Sequence, residues 1–336
     1  MSYLSSVPSD WVNVPEFPLE RLIFSDLYSF SFDRPIIIPD FPSHAFPSIP
    51  HAESDLIPFL LNVYGSHLVP VVGVDGTLDE PLNVWYKNKQ GRYLKDWHIN
   101  KTRPLFTTPL IFPDWLNGYY IASERSRPTL DFQFLYWGDT GTATGYHEDV
   151  VGSFSWSFNL RGKKLWKFFV SNENGRNVFN LEQTRGEMVF VPSGCFHTVE
   201  NLEDDTISIN QNWFNEWNIF NVCKKLISDT VNVKEELNDF GIQFECESEL
   251  DDRIELIVYS NNSLNIGILL EIIEWRISQG HLSPRCRNGI TSALNLIADK
   301  RLPQFQKYER VIERARAALV KRRAMMEYCK ANSTRF

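Results

Sequence analysis

Ser153-Phe154-Ser155-Trp156-Ser157-Phe158, running through Asn159-Leu160-Arg161-Gly162 into Lys163-Lys164-Leu165-Trp166-Lys167-Phe168, is the stretch whose reading decides the fold. Small polar and large aromatic residues alternate with a period of two, the pattern of a strand with two unlike faces. Arg161-Gly162 supplies a turn. On the returning segment Lys164, Trp166 and Phe168 share one face, and Lys163, Leu165 and Lys167 share the other. Lys164 therefore lies on the side of two large aromatics, and two readings are open. It snorkels to water along its aliphatic stem, or it is a buried ammonium paired with an anion, because an unpaired charge there is costly.

Working outward, strand patterns recur from about residue 68 to 215, broken by turns, with the spacing of a jelly roll or cupin-like barrel. Phe132-Gln-Phe-Leu-Tyr136 reads as a strand entering the site. Gly186-Glu-Met-Val-Phe-Val-Pro-Ser-Gly194 is an apolar strand ended by Pro192 and Gly194. Thr206-Ile-Ser-Ile-Asn-Gln-Asn212-Trp213 alternates, with Thr206, Ser208, Asn210 and Asn212 on one side; that row either faces solvent or lines a polar cavity. Arg34-Pro-Ile-Ile-Ile-Pro39 reads as an edge strand bounded by prolines, residues 52–65 as a helix, and Asp114-Trp-Leu-Asn117 as a short helix or loop. From about Glu216 the period becomes helical, through Ile219, Val222, Leu226 and Val231, then Leu264, Ile268, Ile272 and Ile273. The expected organisation is an N-terminal segment over 1–66, a jelly-roll core over 67–216 and a helical region over 217–336. That last region would cap the barrel, touch substrate or dimerise. Its basic run, Arg314, Arg316, Lys321, Arg322 and Arg323, reads as a solvated helix face rather than a nucleic-acid patch.

The chemistry lies in Gly145-Tyr-His147-Glu-Asp149 and, much later, Val191-Pro-Ser-Gly-Cys-Phe-His197. Residues i and i+2 of a strand project to one side, so His147 and Asp149 can converge on one ion if the segment is extended, and His197 would join them from a neighbouring strand. Two histidines and one carboxylate hold a redox metal on one face and leave three positions open. A His-x-Asp triplet alone decides nothing in a chain with 7 histidines and 42 acidic residues, so its surroundings must carry the reading.

Those surroundings resemble the JmjC family of iron- and 2-oxoglutarate-dependent oxygenases, most densely over about residues 85 to 220. Within it the chain is similar to the Jumonji-domain-containing protein four group, on the strings Tyr93-Leu-Lys-Asp-Trp-His98, Ser153-Phe-Ser-Trp-Ser157, Gly186-Glu-Met-Val-Phe-Val-Pro-Ser-Gly194 and Thr206-Ile-Ser-Ile-Asn210. The resemblance implies a double-stranded β-helix core and Fe(II) held by His147, Asp149 and His197. It implies 2-oxoglutarate bound through Lys164 with help from Thr144 and Tyr93, Asn212 beside the co-substrate, and dioxygen as oxidant. Several relatives carry asparagine where this chain has Ser157. The implied reaction is hydroxylation of a lysine in a peptide-chain release factor. Alternatives are an N-methyl-lysine demethylase of the same class and a metal-binding cupin scaffold without turnover; the intact set with Lys164 speaks against the scaffold.

Composition agrees with an enzyme that keeps its thiols reduced. At 336 residues and 43% hydrophobic the chain can bury a sizeable core. Its net charge of −8 argues against a general nucleic-acid binder and suits a basic peptide. Five cysteines without CxxC spacing point to a reducing compartment, the cytoplasm or alternatively the nucleus. No apolar start or long apolar run suggests secretion or membrane insertion, and the oligomeric state is open. Cys195 is a buried structural thiol or an oxidation-sensitive one; His98 packs or approaches the site; Trp156 and Trp166 read as core rather than substrate cage.

Overall fold

The computed structural model describes residues 6–22, 33–41, 46, 49–50, 52–99, 133–172, 175–279, 282–299 and 303–333. The reading of Asp114–Asn117 lies outside these. Thirteen strands form among the described residues: β1 (Glu16–Pro18), β2 (Ile36–Ile38), β3 (Leu68–Gly73), β4 (Gly76–Pro81), β5 (Tyr93–Trp97), β6 (Gln133–Gly138), β7 (Ala143–His147), β8 (Phe154–Arg161), β9 (Lys164–Asn172), β10 (Gly175–Gln183), β11 (Met188–Val191), β12 (Phe196–Asn201) and β13 (Thr206–Trp213). They make two sheets, β1-β10-β9-β12-β7 and β2-β11-β8-β13-β6-β5-β3-β4, antiparallel except where β1 runs parallel to β10. The chain repeatedly changes sheet between consecutive strands, as in a jelly roll.

The alternation at 153–168 takes a different form from a simple hairpin. β8 pairs with β11 and β13, while β9 pairs with β10 and β12 in the other sheet. Gly162, at φ 72°, makes the crossing. A side chain there would put Cβ 2.3 Å from Thr206 Oγ1 and 2.9 Å from Thr206 Cα, so both the dihedral and the space demand glycine. On β8, Trp156 and Phe158 pack on Phe46. Trp156 and Trp166 are both core residues. β2 is the edge strand expected between its prolines, yet all three isoleucines are buried. The helix expected at 52–65 is α1 (Glu53–Tyr64), which buries Leu56, Leu60 and Tyr64 four residues apart along one stripe. A short α2 (Leu82–Lys87) follows β4.

The chain divides into two compact units, the strand-rich one closing at Trp213 and a helical one running from Phe214, with Val150–Ser153 belonging to the second. The helical unit contains α3 (Ile219–Asp239), α4 (Glu247–Asn262), α5 (Ile266–Ser278), α6 (Pro284–Ile297) and α7 (Glu309–Ser333). α3 buries Ile219, Val222 and Leu226 as expected; further along, Thr230 and Val233 turn inward and Val231 is only half-buried. α5 is strongly apolar and buries seven residues, its first turn capped by the Asn265 side chain accepting from Ile268 N. α6 starts with Ser283 as cap and Pro284 in its first turn. Arg314 holds Glu274 with both branches of its guanidinium, at 2.6 and 2.9 Å, and Arg316 holds Glu313 and Asn295, which fits a solvated face. Among the described residues no single helix is long and apolar enough to cross a membrane; α4 and α5 pass that test only as a pair bent by 72°.

Candidate metal centre

His147 ends β7 and His197 is the second residue of β12; the two strands pair antiparallel with these histidines directly opposite each other, ring centroids 4.2 Å apart. Asp149 departs from the expectation of an extended segment. The strand stops at His147, and the carboxylate reaches the histidines from the unpaired segment two residues beyond it. It is steadied there by Ser155, whose hydroxyl donates to Oδ2 at 2.6 Å and leaves Oδ1 for another partner. One donor atom from each of His147, Asp149 and His197 lies within 4.8 Å of the others, a grouping that could hold a metal ion.

The imidazoles are already oriented for such a role. Nδ1 of His147 lies 2.8 Å from Gly145 O, and Nδ1 of His197 lies 3.0 Å from Cys195 O. A carbonyl only accepts, so each Nδ1 carries the proton and each Nε2 offers a lone pair. His197 is buried, 5.6 Å from Trp166 and 5.9 Å from Phe168 between ring centroids. Burial, and secondarily the charge of His147, pull its pKa down to about 4, so it is neutral at pH 7. The donor set thus fits a divalent metal without further rearrangement of tautomers. Cys195 serves through its backbone carbonyl; its buried thiol is pushed up to about 12, the mark of an inert structural cysteine.

At the other end of the same interior stands Lys164, 2% exposed, the reverse of snorkelling. Its ammonium donates to Ser208 Oγ and lies 5.8 Å from the centroid of the Tyr136 ring. Among the described residues no carboxylate forms an ion pair with it, and burial alone lowers its pKa to about 7. The polar row on β13 faces inward. Ser208 donates to Asn210 Oδ1 at 3.1 Å, which also accepts from Ser157 at 2.8 Å. Asn212 is buried farther along that row, opposite Ser155. Tyr93, on β5, hydrogen-bonds with Thr144 of β7 and with Asn201; burial first of all holds its hydroxyl well above the ordinary tyrosine range. All seven residues singled out in the sequence, His147, Asp149, His197, Lys164, Thr144, Tyr93 and Asn212, are therefore on strands of this interior or on its connecting segment.

Asn201 and Tyr136 belong to the same interior and were not singled out. Asn201 lies opposite Lys164 in the β9–β12 register and donates to Thr142 Oγ1 at 2.9 Å. Its signal was its position four residues after His197, on the same face of a strand. His98 packs on Phe134, with ring centroids 4.7 Å apart. Gly138 leaves room for this cluster: a Cβ there would lie 2.2 Å from Thr142 Oγ1, 2.7 Å from the Tyr93 ring and 2.8 Å from Asn201 Nδ2. Gly138→Ala is expected to lower stability by about 1–3 kcal/mol through overpacking, read as a lower denaturant midpoint at unchanged slope.

A family model described as "JmjC domain, hydroxylase" matches residues 169–213, the span from the end of β9 through His197 to Trp213. That stretch of the chain is similar to a JmjC domain. Over 234 residues it is 33% identical to "2-oxoglutarate and iron-dependent oxygenase JMJD4" of Homo sapiens, covering 54% of this chain and 55% of that protein. The homologue of that oxygenase in Drosophila melanogaster is 36% identical over 173 residues, 44% of this chain and 40% of its own length. "Arginine-specific demethylase JMJ20" of Arabidopsis thaliana is 34% identical over 221 residues, 53% of this chain and 46% of that protein. The chain thus spans about half the length of the curated relatives it matches. The JmjC match includes His197 and the polar row of β13, and the remaining metal-binding candidates reach it through β7 and the segment after it.

Proposed function

We propose that this chain is an Fe(II)- and 2-oxoglutarate-dependent oxygenase acting on a protein side chain. The observation that carries the reading is Lys164, a buried ammonium without a carboxylate partner among the described residues, in the interior that holds a His-Asp-His set. A buried charge is costly unless paired, so the protein keeps a site in want of an anion. A dicarboxylic keto acid supplies that anion at one end and two oxygen donors for a metal at the other. With iron, 2-oxoglutarate and dioxygen bound, the chemistry supplied is decarboxylation of the keto acid to succinate with insertion of one oxygen atom into a substrate C–H bond.

The chain's own residues bind, orient and keep water out. His147, His197 and Asp149 would hold the metal on one face, with the Gly145 and Cys195 carbonyls and Ser155 fixing their geometry. Lys164 would fix the far carboxylate, with Thr144 and Tyr93 alongside, and Asn212 would flank the co-substrate. Trp166 and Phe168 wall off the His197 side from solvent. A non-catalytic scaffold has no use for an uncompensated lysine, which makes that reading the weaker one.

For the substrate we propose a lysine of a peptide-chain release factor, met in the cytoplasm. The reading rests on the strings shared with the oxygenase group; the acidic balance of the chain, −8, suits a basic partner. Similarity to a protein named as an arginine-specific demethylase favours one second reading, oxidation of an N-methyl group. Mass spectrometry of a release factor incubated with the protein, iron, 2-oxoglutarate and ascorbate distinguishes them. Gain of one oxygen on a lysine is the expected result; loss of a methylene unit with formaldehyde released would establish demethylation instead.

A further inference from the structure

The pairing of β5 with β6 contains a bulge that brings a charged pair to the site and has no part in the chemistry assigned above. Leu94 stands opposite Trp137, and the next paired residues are Trp97 and Leu135, so Lys95 and Asp96 together face the single residue Tyr136. In a regular strand Trp97 would share a side with Tyr93 and Asp96 would point away from it. The extra residue reverses this. Trp97 packs on Tyr64, while the Asp96 carboxylate accepts a hydrogen bond from the Tyr136 hydroxyl. Tyr136 shares the interior with Tyr93, ring centroids 6.1 Å apart, and lies over Lys164. Asp96 sits at φ 62°, a conformation that aspartate and asparagine tolerate better than most side chains. Bulges beside active sites commonly re-aim one side chain in this way.

Asp96 faces both ways. Its inner oxygen is tied to Tyr136, its side chain is 54% exposed, and its other oxygen is 3.9 Å from the ammonium of half-buried Lys95, a long contact of little strength. The carboxylate is therefore open to a stronger cation arriving from solvent. A lysine or arginine side chain entering the site presents a cation on an apolar stem, and the Tyr136 ring beside Asp96 offers a wall for that stem. Oxidation of a carbon in the stem also requires the cation to be held away from a positively charged metal. We propose that Asp96 is a specificity-determining residue that takes the positive charge of a basic substrate side chain, with Tyr136 positioned by it. This deepens the oxygenase reading and rests on it for the word substrate.

The test uses the full chain immobilised and three degenerate peptide pools with lysine, arginine or norleucine fixed at the centre, with and without manganese and 2-oxoglutarate. The wild type is expected to retain the lysine or arginine pool at least tenfold over norleucine. Asp96→Asn, which keeps the backbone conformation and removes the charge, is expected to retain all three alike. Lys95→Met, which removes the competing ammonium, is expected to keep or strengthen the preference. Equal retention by the wild type, an unchanged preference in D96N, or loss of preference in K95M alone would each overturn the proposal. Failure to take up manganese or 2-oxoglutarate would count against the oxygenase reading alone, since the metal-free arm still reports on Asp96.

Discussion

His147→Ala is expected to abolish tight metal uptake and bring succinate formation from 2-oxoglutarate to background, a loss of at least about a hundredfold, as second-sphere changes alone cost 10–100-fold. Two donors in one plane cannot hold a labile divalent ion against water as three can, and the residue lost carries little of the fold. His147 is only half-buried, at the end of β7. Its Nδ1 bond to Gly145 O lies within its own strand. The thermal midpoint of the metal-free variant should therefore stay within a few degrees of wild type, consistent with less than about 1 kcal/mol. His197→Ala is a poorer test, because that ring is buried beside Trp166 and Phe168 and its removal opens a cavity. Titration with a coloured divalent ion such as cobalt reports the site directly. Undiminished cobalt binding or succinate release in H147A would remove this residue from the metal sphere.

Lys164→Met is expected to act in opposite directions on binding and on stability. Without the ammonium, 2-oxoglutarate should bind at least about a hundredfold more weakly, the scale of a lost charge-assisted hydrogen-bonded pair of about 3 kcal/mol. The same change should make the ligand-free protein more stable, because a methionine of similar reach costs nothing to bury. The sign with pH follows from the lowered pKa. An unfolded lysine titrates near 10.5 and the folded one at about 7, so between these values the unfolded chain binds more protons and stability rises with pH. Below about pH 7 the full cost of the buried charge is present. K164M should remove that alkaline rise and gain a few kcal/mol at pH 6. Binding of the dianion should restore the lysine proton, so wild-type affinity for 2-oxoglutarate is expected to fall by up to about tenfold per pH unit above 7. A flat pH dependence by calorimetry, or a destabilised K164M at pH 6, would contradict a buried unpaired ammonium.

Much of the site was legible because strand periodicity reports which side chains share a face. Lys164 with Trp166 and Phe168, and the row Thr206, Ser208, Asn210, Asn212, were correctly grouped from a period of two. What each group faces was not legible. Lys164 and the polar row were both open between solvent and interior, and the answer came from the opposite sheet, where Ser208 meets the Lys164 ammonium. Asp149 was grouped with the two histidines by strand periodicity, yet the named strand β7 ends at His147, and the carboxylate is held by Ser155 from the next strand. Asn201 escaped notice because its partners, Tyr93 and Thr142, are remote in sequence.

The sequence by itself determined the alternating strands, the turn at Gly162, the helical region from about Glu216 and the chemical types able to bind a metal and an organic anion, all of which depend on residue chemistry and local spacing. Only the tertiary structure decided that β8 and β9 belong to different sheets, that Lys164 is sealed from water, and that a bulge turns Asp96 toward Tyr136. Those outcomes depend on register between strands far apart in the chain. A one-residue slip in such pairing reverses every side chain, and no local pattern encodes it.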